Sequence, residues 1–543
     1  MRVDLVLIGG DNSSLDWEVG DKLNADPTPR SIHDELEKTA MSSSVHAFLF
    51  WDTNLGLPDP SLITKLLDSP FDVWHAGLKL GMAGQPALID HVKPTWMLNR
   101  DPDLDIEASS WRLSLRACLI RTEVLRQLGG PLAGFDSLDA AGLEMGYRYV
   151  RNGVFIRHDP RLINGVISKK PVTIPAVDQM RFIAACFEKK WVYWSAMRTI
   201  LSHHSNIPTT IRAVHIAKEQ DKQKAGQPYE HPPATRECKP AASSVSVLIP
   251  TINRYPYLRT LLSQLRQQTI KPIEIIVVDQ TPHDLRDTQM AAEFSDLPLR
   301  WFYLDQAGQC SSRNLGIHQA VGEFILFLDD DVEIPENLCE RHLFNLSRFT
   351  CSVSSGTTRE PDNEVLPECL NVPNTADVFP TNNTMIRAEI LTHSGLFDLA
   401  YDHGQRADHD LGMRIYLSGE MMVLDPSISI LHHHAPQGGL REHKARVVTR
   451  AASKKSIRVN VLTSVSDIYL ALRYFTLFQT REMLWITVLS MFTMQGSLLR
   501  KLIKTILHII TLPYTLLKLQ SNFFKAKNLL NQYPKIPPYE PRL

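Results

Sequence analysis

FILFLDDD (324–331) is an unbroken apolar run that ends in three carboxylates. Five apolar residues without alternation suit a strand covered on both faces, as in a parallel sheet. Two similar runs precede it, SVSVLIP (244–250) and IEIIVVDQT (273–281). Helical patterns lie between them, YLRTLLSQLRQQ after the first run and SSRNLGIHQAVGE before FILFLDDD. This βαβαβ order predicts an α/β fold with a Rossmann-like, mostly parallel sheet flanked by helices. In such sheets ligands collect at the carboxyl ends of strands, and Asp279 and Asp329–Asp331 fall at such ends.

Outward from this core the chain divides into four regions: 1–170, 171–243, 244–440 and 441–543. The first again alternates short apolar runs with helical patterns. The second begins with mixed apolar and aromatic sequence and ends in a polar stretch from Ala217, which reads as a linker. The fourth holds 17 Lys and Arg against 4 Asp and Glu, so the near-neutral total of −1 hides an acidic body and a basic tail. That total gives no reason to expect nucleic acid as a partner. The seven cysteines are scattered without CxxC spacing, which disfavours a disulfide framework or zinc site and suits a reducing, cytoplasmic setting.

The first and third regions are related. RACLIRTEVLRQLGG (116–130) lies over NNTMIRAEILTHSGL (382–396), and the register of 266 continues through Asp136/Asp402, Gly146/Gly412, Arg148/Arg414, Gly153/Gly419 and Asp159/Asp425. Polar residues differ where scaffold residues agree. Upstream, at a slightly different offset, Asp329 and Asp331 face Asp52 and Asn54; in the register of 266 Asp408 faces Gly142 and His432 faces Val166. The first copy is shorter, with no stretch like IEIIVVDQT. Region 1–170 therefore reads as a degenerate, noncatalytic copy, whose role (acceptor binding, dimerisation or cover) is open.

Three adjacent carboxylates repel one another unless a cation sits among them. Alternate carboxylates at a strand end can aim at one point, and hard oxygen ligands suit Mg²⁺ or Mn²⁺. A solvated acidic turn is the plain alternative. In RADHDLGMRIYLSGE (406–420), Asp408 enters a helix, where an anion is favoured and can accept a proton; the alternative is an N-cap at Asp408 with Arg414 paired to Asp410. In ILHHHAPQGGLR (430–441) a histidine could ligate a metal. Arg313, in GQCSSRNLGI (308–317), suits a diphosphate or a structural ion pair.

In their order these elements resemble family 2 glycosyltransferases of the GT-A fold. The resemblance implies a DxD pair, Asp329 and Asp331, holding a divalent metal against a sugar-nucleotide diphosphate, with His432 near that metal. It implies Asp408 as general base, although the family's preceding Glu is Ala407 here. Pro250, Thr251, Arg254, Asp279, Arg313, Asp329 and Asp330 would line the donor site, although Gln280 and Thr281 replace the family's usual residues after Asp279. The implied reaction is metal-dependent, inverting transfer from a nucleotide sugar to a glycan or lipid-linked acceptor. Rival readings are a noncatalytic tandem carbohydrate-binding scaffold and a sugar nucleotidyltransferase; PTINRYP (250–256) lacks the glycine-rich loop that the latter wants.

In the tail, MLWITVLSMFTM (483–494) and TILHIITLPYTLL (505–517) are each too short to span a bilayer. Their basic flanks predict an amphipathic helical tail in peripheral contact with the inner membrane face, or packed against the body or a partner subunit in a homo-oligomer.

Overall fold

The structure is a computed structural model that describes residues 1–10, 16–39, 44–76, 89–163, 173–218, 228–231, 243–359, 371–435 and 462–540. Val166, most of the polar stretch from Ala217 and the glycine turn after the histidine triplet lie outside these.

Two sheets form the body. The first contains β1 (Val3–Ile8), β2 (Lys22–Ala25), β3 (Ala47–Asp52), β4 (Val73–His75), β5 (Ala108–Ser109), β6 (Ala117–Arg121) and β7 (Ile156–His158), in the order β2-β1-β3-β6-β4-β7-β5. The second contains β8 (Val245–Thr251), β9 (Glu274–Asp279), β10 (Leu299–Tyr303), β11 (Phe324–Leu328), β12 (Val332–Glu333), β13 (Val353–Arg359), β14 (Asn374–Thr375), β15 (Asn383–Arg387) and β16 (Met422–His432). Its order is β10-β9-β8-β11-β15-β13-β16-β12, with β14 also on β16. The apolar runs at 244–250, 273–281 and 324–331 hold β8, β9 and β11, and every residue of β9 and β11 is buried.

The expected parallel arrangement holds from β10 to β11. Beyond β11 the sheet is mixed: β15 runs antiparallel to both β11 and β13, and β13 is parallel to β16. The first sheet repeats this plan. Laying β1–β7 over β8, β9, β11, β13, β14, β15 and β16 reproduces each neighbour and its direction. The missing middle strand expected from the sequence is in fact present: the four-residue β2 occupies the place of β9. KLNA carries only one fully buried residue, so it lacks the apolar run that marks β9.

The two sheets contact each other reciprocally. Helix α1 (Leu138–Arg151) reaches β14, while its counterpart in the second half, Ala407–Leu417, reaches β5. A side chain at Gly153 would meet Val372 and the Pro373 carbonyl, and one at Gly419 would meet Ile106 and the Glu107 carbonyl. These pairs match in the register of 266, so the halves meet about an approximate local twofold. Helices α2 (Ala176–Cys186), α3 (Lys189–Leu201) and α4 (Ile207–Ala217) pack on the first half. Part of the presumed linker is tied down too: Tyr229 is fully buried and its hydroxyl donates to Asp72 at 3.1 Å.

Helix α5 (Gln309–Gln319) leads into β11, and α6 (Ala407–Leu417) into β16. The tail supplies α7 (Val465–Tyr474), α8 (Leu477–Met491) and α9 (Leu498–Gln532). Capping boxes at Ser464/Asp467 and Thr476/Gln479 start α7 and α8. The second apolar run is not a short separate element as the sequence suggested. It lies inside α9, whose 35 residues continue through Pro513 and are long and apolar enough, by length and composition, to cross a membrane.

Candidate functional site

Strand β11 ends at Leu328 and delivers three carboxylates to the sheet edge. β12 pairs antiparallel with β16, with Val332 opposite His432. That register brings His432 Nε2 to 3.1 Å from Asp331 Oδ1. One ligand atom from each of Asp329, Asp331 and His432 lies within 4.8 Å of the others. Two carboxylate oxygens and an imidazole nitrogen on one point fit Mn²⁺ or Mg²⁺.

Asp330, in the turn that follows β11, points the other way. Its carboxylate accepts from Thr251 Oγ1 at 2.8 Å and from Arg254 Nη1 at 2.9 Å. Burial pushes it up to about 7 against the pull of Arg254. Burial also acts to raise Asp331, but the His432 hydrogen bond and Arg254 outweigh it and hold Asp331 at about 2. The Ala435 N–H adds a donor to Asp331 at 2.9 Å. Burial works to lower His432, yet Asp331 raises it overall.

Arginines flank the cluster. Arg254 stands at the start of helix Tyr255–Leu265 and lies 3.2 Å from Asp331 as well as on Asp330. Arg313, on α5, donates to Asp329 Oδ1 at 3.0 Å and to the Gln309 carbonyl, over the Phe397 ring. Of the two readings of Arg313 the ion pair is the one seen, and its partner belongs to the Asp329, Asp331 and His432 cluster. Pro250 and Thr251 end β8, with Thr251 buried. Asp279 at the end of β9 is fully buried, and its oxygens accept from the Tyr255 hydroxyl at 2.7 Å and the Thr281 N–H at 2.9 Å.

Asp408 stands outside the triad, in the first turn of α6. Its side chain is 35% exposed. Oδ1 accepts from the His409 N–H at 2.8 Å and lies 3.0 Å from His409 Nδ1. Burial favours its neutral form, but His409 and Arg406 outweigh this and hold it at about 2. The alternative reading of Asp408 as helix cap is not met: the cap position is Arg406, which makes no capping side-chain bond and has φ of 78°. A left-handed arginine costs about 1–2 kcal/mol. Asp410 does pair with Arg414, at 2.9 Å, buried, and also accepts from the Tyr474 hydroxyl at 2.8 Å.

The loop before α6 connects to the triad through Asp402. Its carboxylate caps α5 by accepting from the N–H groups of Cys310 and Ser311, at 2.8 and 2.9 Å. α5 carries Arg313, which holds Asp329. The identity Asp136/Asp402 in the repeat was the sequence signal for this residue. Other polar partners left no such signal: His433 with Glu333 at 2.6 Å, and Arg406 with Asp467 at 2.6 Å.

Residues 246–376 match the family described as Glycosyl transferase family 2. EpsH of Bacillus subtilis is 38% identical over 102 residues, 18% of this chain and 29% of its own length. Glycosyltransferase GlyA of Streptococcus pneumoniae is 30% identical over 114 residues, 21% of this chain and 16% of its own. The GalNAc(5)-diNAcBac-PP-undecaprenol beta-1,3-glucosyltransferase of Campylobacter jejuni is 35% identical over 94 residues, 17% of this chain and 30% of its own. The matches thus span less than a third of each relative. Among solved structures, the mannosyltransferase PcManGT of Pyrobaculum calidifontis, in complex with GDP-Man and Mn²⁺, has a TM-score of 0.36 at 17% identity, covering 66% of this chain and 98% of that one.

Proposed function

With a family 2 glycosyltransferase domain at residues 246–376 as the premise, we propose that this chain transfers a sugar from a nucleotide-diphosphate donor to an acceptor hydroxyl, with inversion and with help from a divalent metal. The observation that carries this reading is the meeting of Asp329, Asp331 and His432 between two arginines at the carboxyl end of β11. Those three residues would hold Mn²⁺ or Mg²⁺, which supplies positive charge to a departing diphosphate. Arg254 and Arg313 add donors of fixed geometry beside it. Asp330 supports the donor pocket by holding Thr251 and Arg254 in place. Pro250, Thr251 and Asp279 form the wall toward the nucleotide.

Asp408 serves as the base. It takes the proton of the acceptor hydroxyl while that oxygen bonds to the anomeric carbon and the bond from that carbon to the diphosphate oxygen breaks. A domain split of 1–170, 171–243, 244–440 and 441–543 goes with this reading, the first being a noncatalytic relative of the third. The test is a panel of UDP-glucose, UDP-GlcNAc and GDP-mannose, scored for thermal stabilisation and hydrolysis with and without Mn²⁺. Stabilisation and turnover of one donor that both need the metal support the proposal; a chain that responds to none of them at millimolar concentration, with or without metal, is a binding scaffold instead.

We further propose that the tail lies on an anionic membrane surface and presents the site to a lipid-linked or glycan acceptor at the cytoplasmic face. α9 carries six basic residues and no acid. Its polar Lys504, His508 and Thr515 face the body, while Leu499, Leu502, Ile506, Ile510, Tyr514 and Leu517 are exposed. This inverts the usual amphipathic arrangement and suits a lipid surface. Sedimentation with phosphatidylglycerol vesicles, lost in a Leu499→Glu, Ile506→Glu, Ile510→Glu variant, supports it; equal recovery of the variant with vesicles refutes it.

A further inference from the structure

The tail is bolted to the loop that precedes Asp408. Tyr469 and Arg473 on α7 hold Asp398, at 2.7 and 3.2 Å. Ser466 Oγ accepts from the Gln405 N–H at 3.3 Å. Asp467, already fixed by the Ser464 capping box, accepts from Arg406 Nε at 2.6 Å. Arg406 Nη1 lies 3.1 Å from His409 Nε2, and His409 Nδ1 lies 3.0 Å from Asp408 Oδ1.

The donors in this chain are determined by chemistry. A guanidinium N–H can only donate, so His409 Nε2 accepts from Arg406. The imidazole proton then sits on Nδ1 and is donated to Asp408 Oδ1. With the His409 N–H also on Oδ1, no donor among the described residues reaches Oδ2. That oxygen is the one left for an acceptor hydroxyl.

We infer that Asp467, Arg406 and His409 form a positioning relay by which the first turn of α7 orients the Asp408 carboxylate for proton abstraction. This rests on the reading of Asp408 as base. The relay accounts for a left-handed arginine at this point: Arg406 is turned so that its side chain bridges α7 and His409. It also gives the tail a role beyond attachment, since Asp467 lies about sixty positions beyond the base it orients. Among the described residues, the charged and titratable groups acting on Asp408 are Arg406 and His409 from its own loop and helix, with Asp467 behind Arg406 on α7; neighbouring Asp410 turns to Arg414 and Tyr474.

The test uses the full chain in five forms: wild type, Asp467→Ala, Asp467→Glu, His409→Leu and Asp408→Asn. The reaction measured is turnover of whichever of UDP-glucose, UDP-GlcNAc and GDP-mannose it accepts. With ¹⁵N-histidine labelling, the His409 signal, identified by its loss in His409→Leu, is expected to show protonated Nδ1 in wild type and a changed tautomer balance in Asp467→Ala. kcat is expected to fall on the order of 10- to 100-fold in Asp467→Ala and His409→Leu, with donor KM unchanged and Asp467→Glu partly restored. The acid limb of the rate profile is expected to move upward in His409→Leu, because the donor that favours the carboxylate is gone. If Asp408→Asn is inactive but both relay variants keep the wild-type kcat and acid limb, the relay is wrong and the base assignment stands. If Asp408→Asn retains full turnover, both fall. Should Asp467→Ala fail to fold, His409→Leu, altered at a partly exposed side chain, decides by the same readouts.

Discussion

At the carboxyl end of β11, Asp329 and Asp331 open toward His432; at the matching end of β3, Asp52 is closed off by its own neighbours. Asn54 donates to Asp52 Oδ1 through its backbone at 3.0 Å and its side chain at 2.8 Å, and Arg116 donates to Oδ2 at 2.9 Å. Arg116 also pairs with Asp139 at 3.0 Å. In the second half the positions of Arg116 and Asp139 are Asn382 and Gln405. One scaffold therefore carries two solutions to clustered carboxylates. In the first half a guanidinium from the same chain neutralises them. In the second half Arg254 and Arg313 pair with the carboxylates as well, but an imidazole also joins two carboxylate oxygens at one point, a set that fits a divalent metal. The scaffold itself is held alike in both: Arg148 bridges Glu144 and the Leu128 carbonyl, as Arg414 bridges Asp410 and the Ser394 carbonyl.

This contrast can be broken at several points. The largest effect is expected from Asp408→Asn, which should lower transfer by about 10²–10⁴-fold with donor binding retained in calorimetry, whereas a change at its counterpart Gly142 alters packing and not chemistry. The shared scaffold pairs come next. Arg148→Met and Arg414→Met each strand a buried carboxylate, and each should cost about 3–5 kcal/mol in denaturant unfolding. A much smaller cost in one of them would show that the halves are not held by the same device.

The tie between the first half and the tail has a pH signature. Glu482 on α8 is fully buried and bonds Arg198 of α3 at 2.6 Å and His91 at 3.1 Å. Burial opposes its ionisation, but these partners lower it from 4.5 to about 2. A depressed carboxyl contributes stability that is present above 4.5 and is lost as pH falls through about 2. The loss should be on the order of 3 kcal/mol and should vanish in Glu482→Gln, measured as unfolding free energy across that window. The smallest effect concerns the two acidic strand ends: Asp331→Ala should weaken Mn²⁺-dependent donor binding by roughly tenfold, about 1.4 kcal/mol, while Asp52→Ala leaves it unchanged. Equal weakening by both would mean that the first half shares in donor binding.

Much of this was legible beforehand because it is local. A buried strand shows itself as an apolar run, so β8, β9 and β11 were placed from FILFLDDD outward. The spacing of alternate carboxylates after a strand end singles out Asp329 and Asp331, which the turn after β11 brings together. β2 escaped notice because a short edge strand with one buried residue carries no such run. The second apolar run reads as short because Lys504 and Lys518 bound it, yet the helix that holds it is 35 residues long, since a basic residue ends an apolar run without ending a helix.

The amino-acid sequence alone determined the α/β class, the acidic strand end, the register of the internal repeat and the basic character of the tail, since each is written in neighbouring residues or in like residues at a fixed spacing. Only the tertiary structure decided that His432 meets Asp331, that Arg116 pairs with Asp52 in the first half, and that α7 reaches back to Arg406. Those contacts join residues some sixty to a hundred positions apart, and strand register and helix docking, which leave no local pattern, select them from many chemically equal partners.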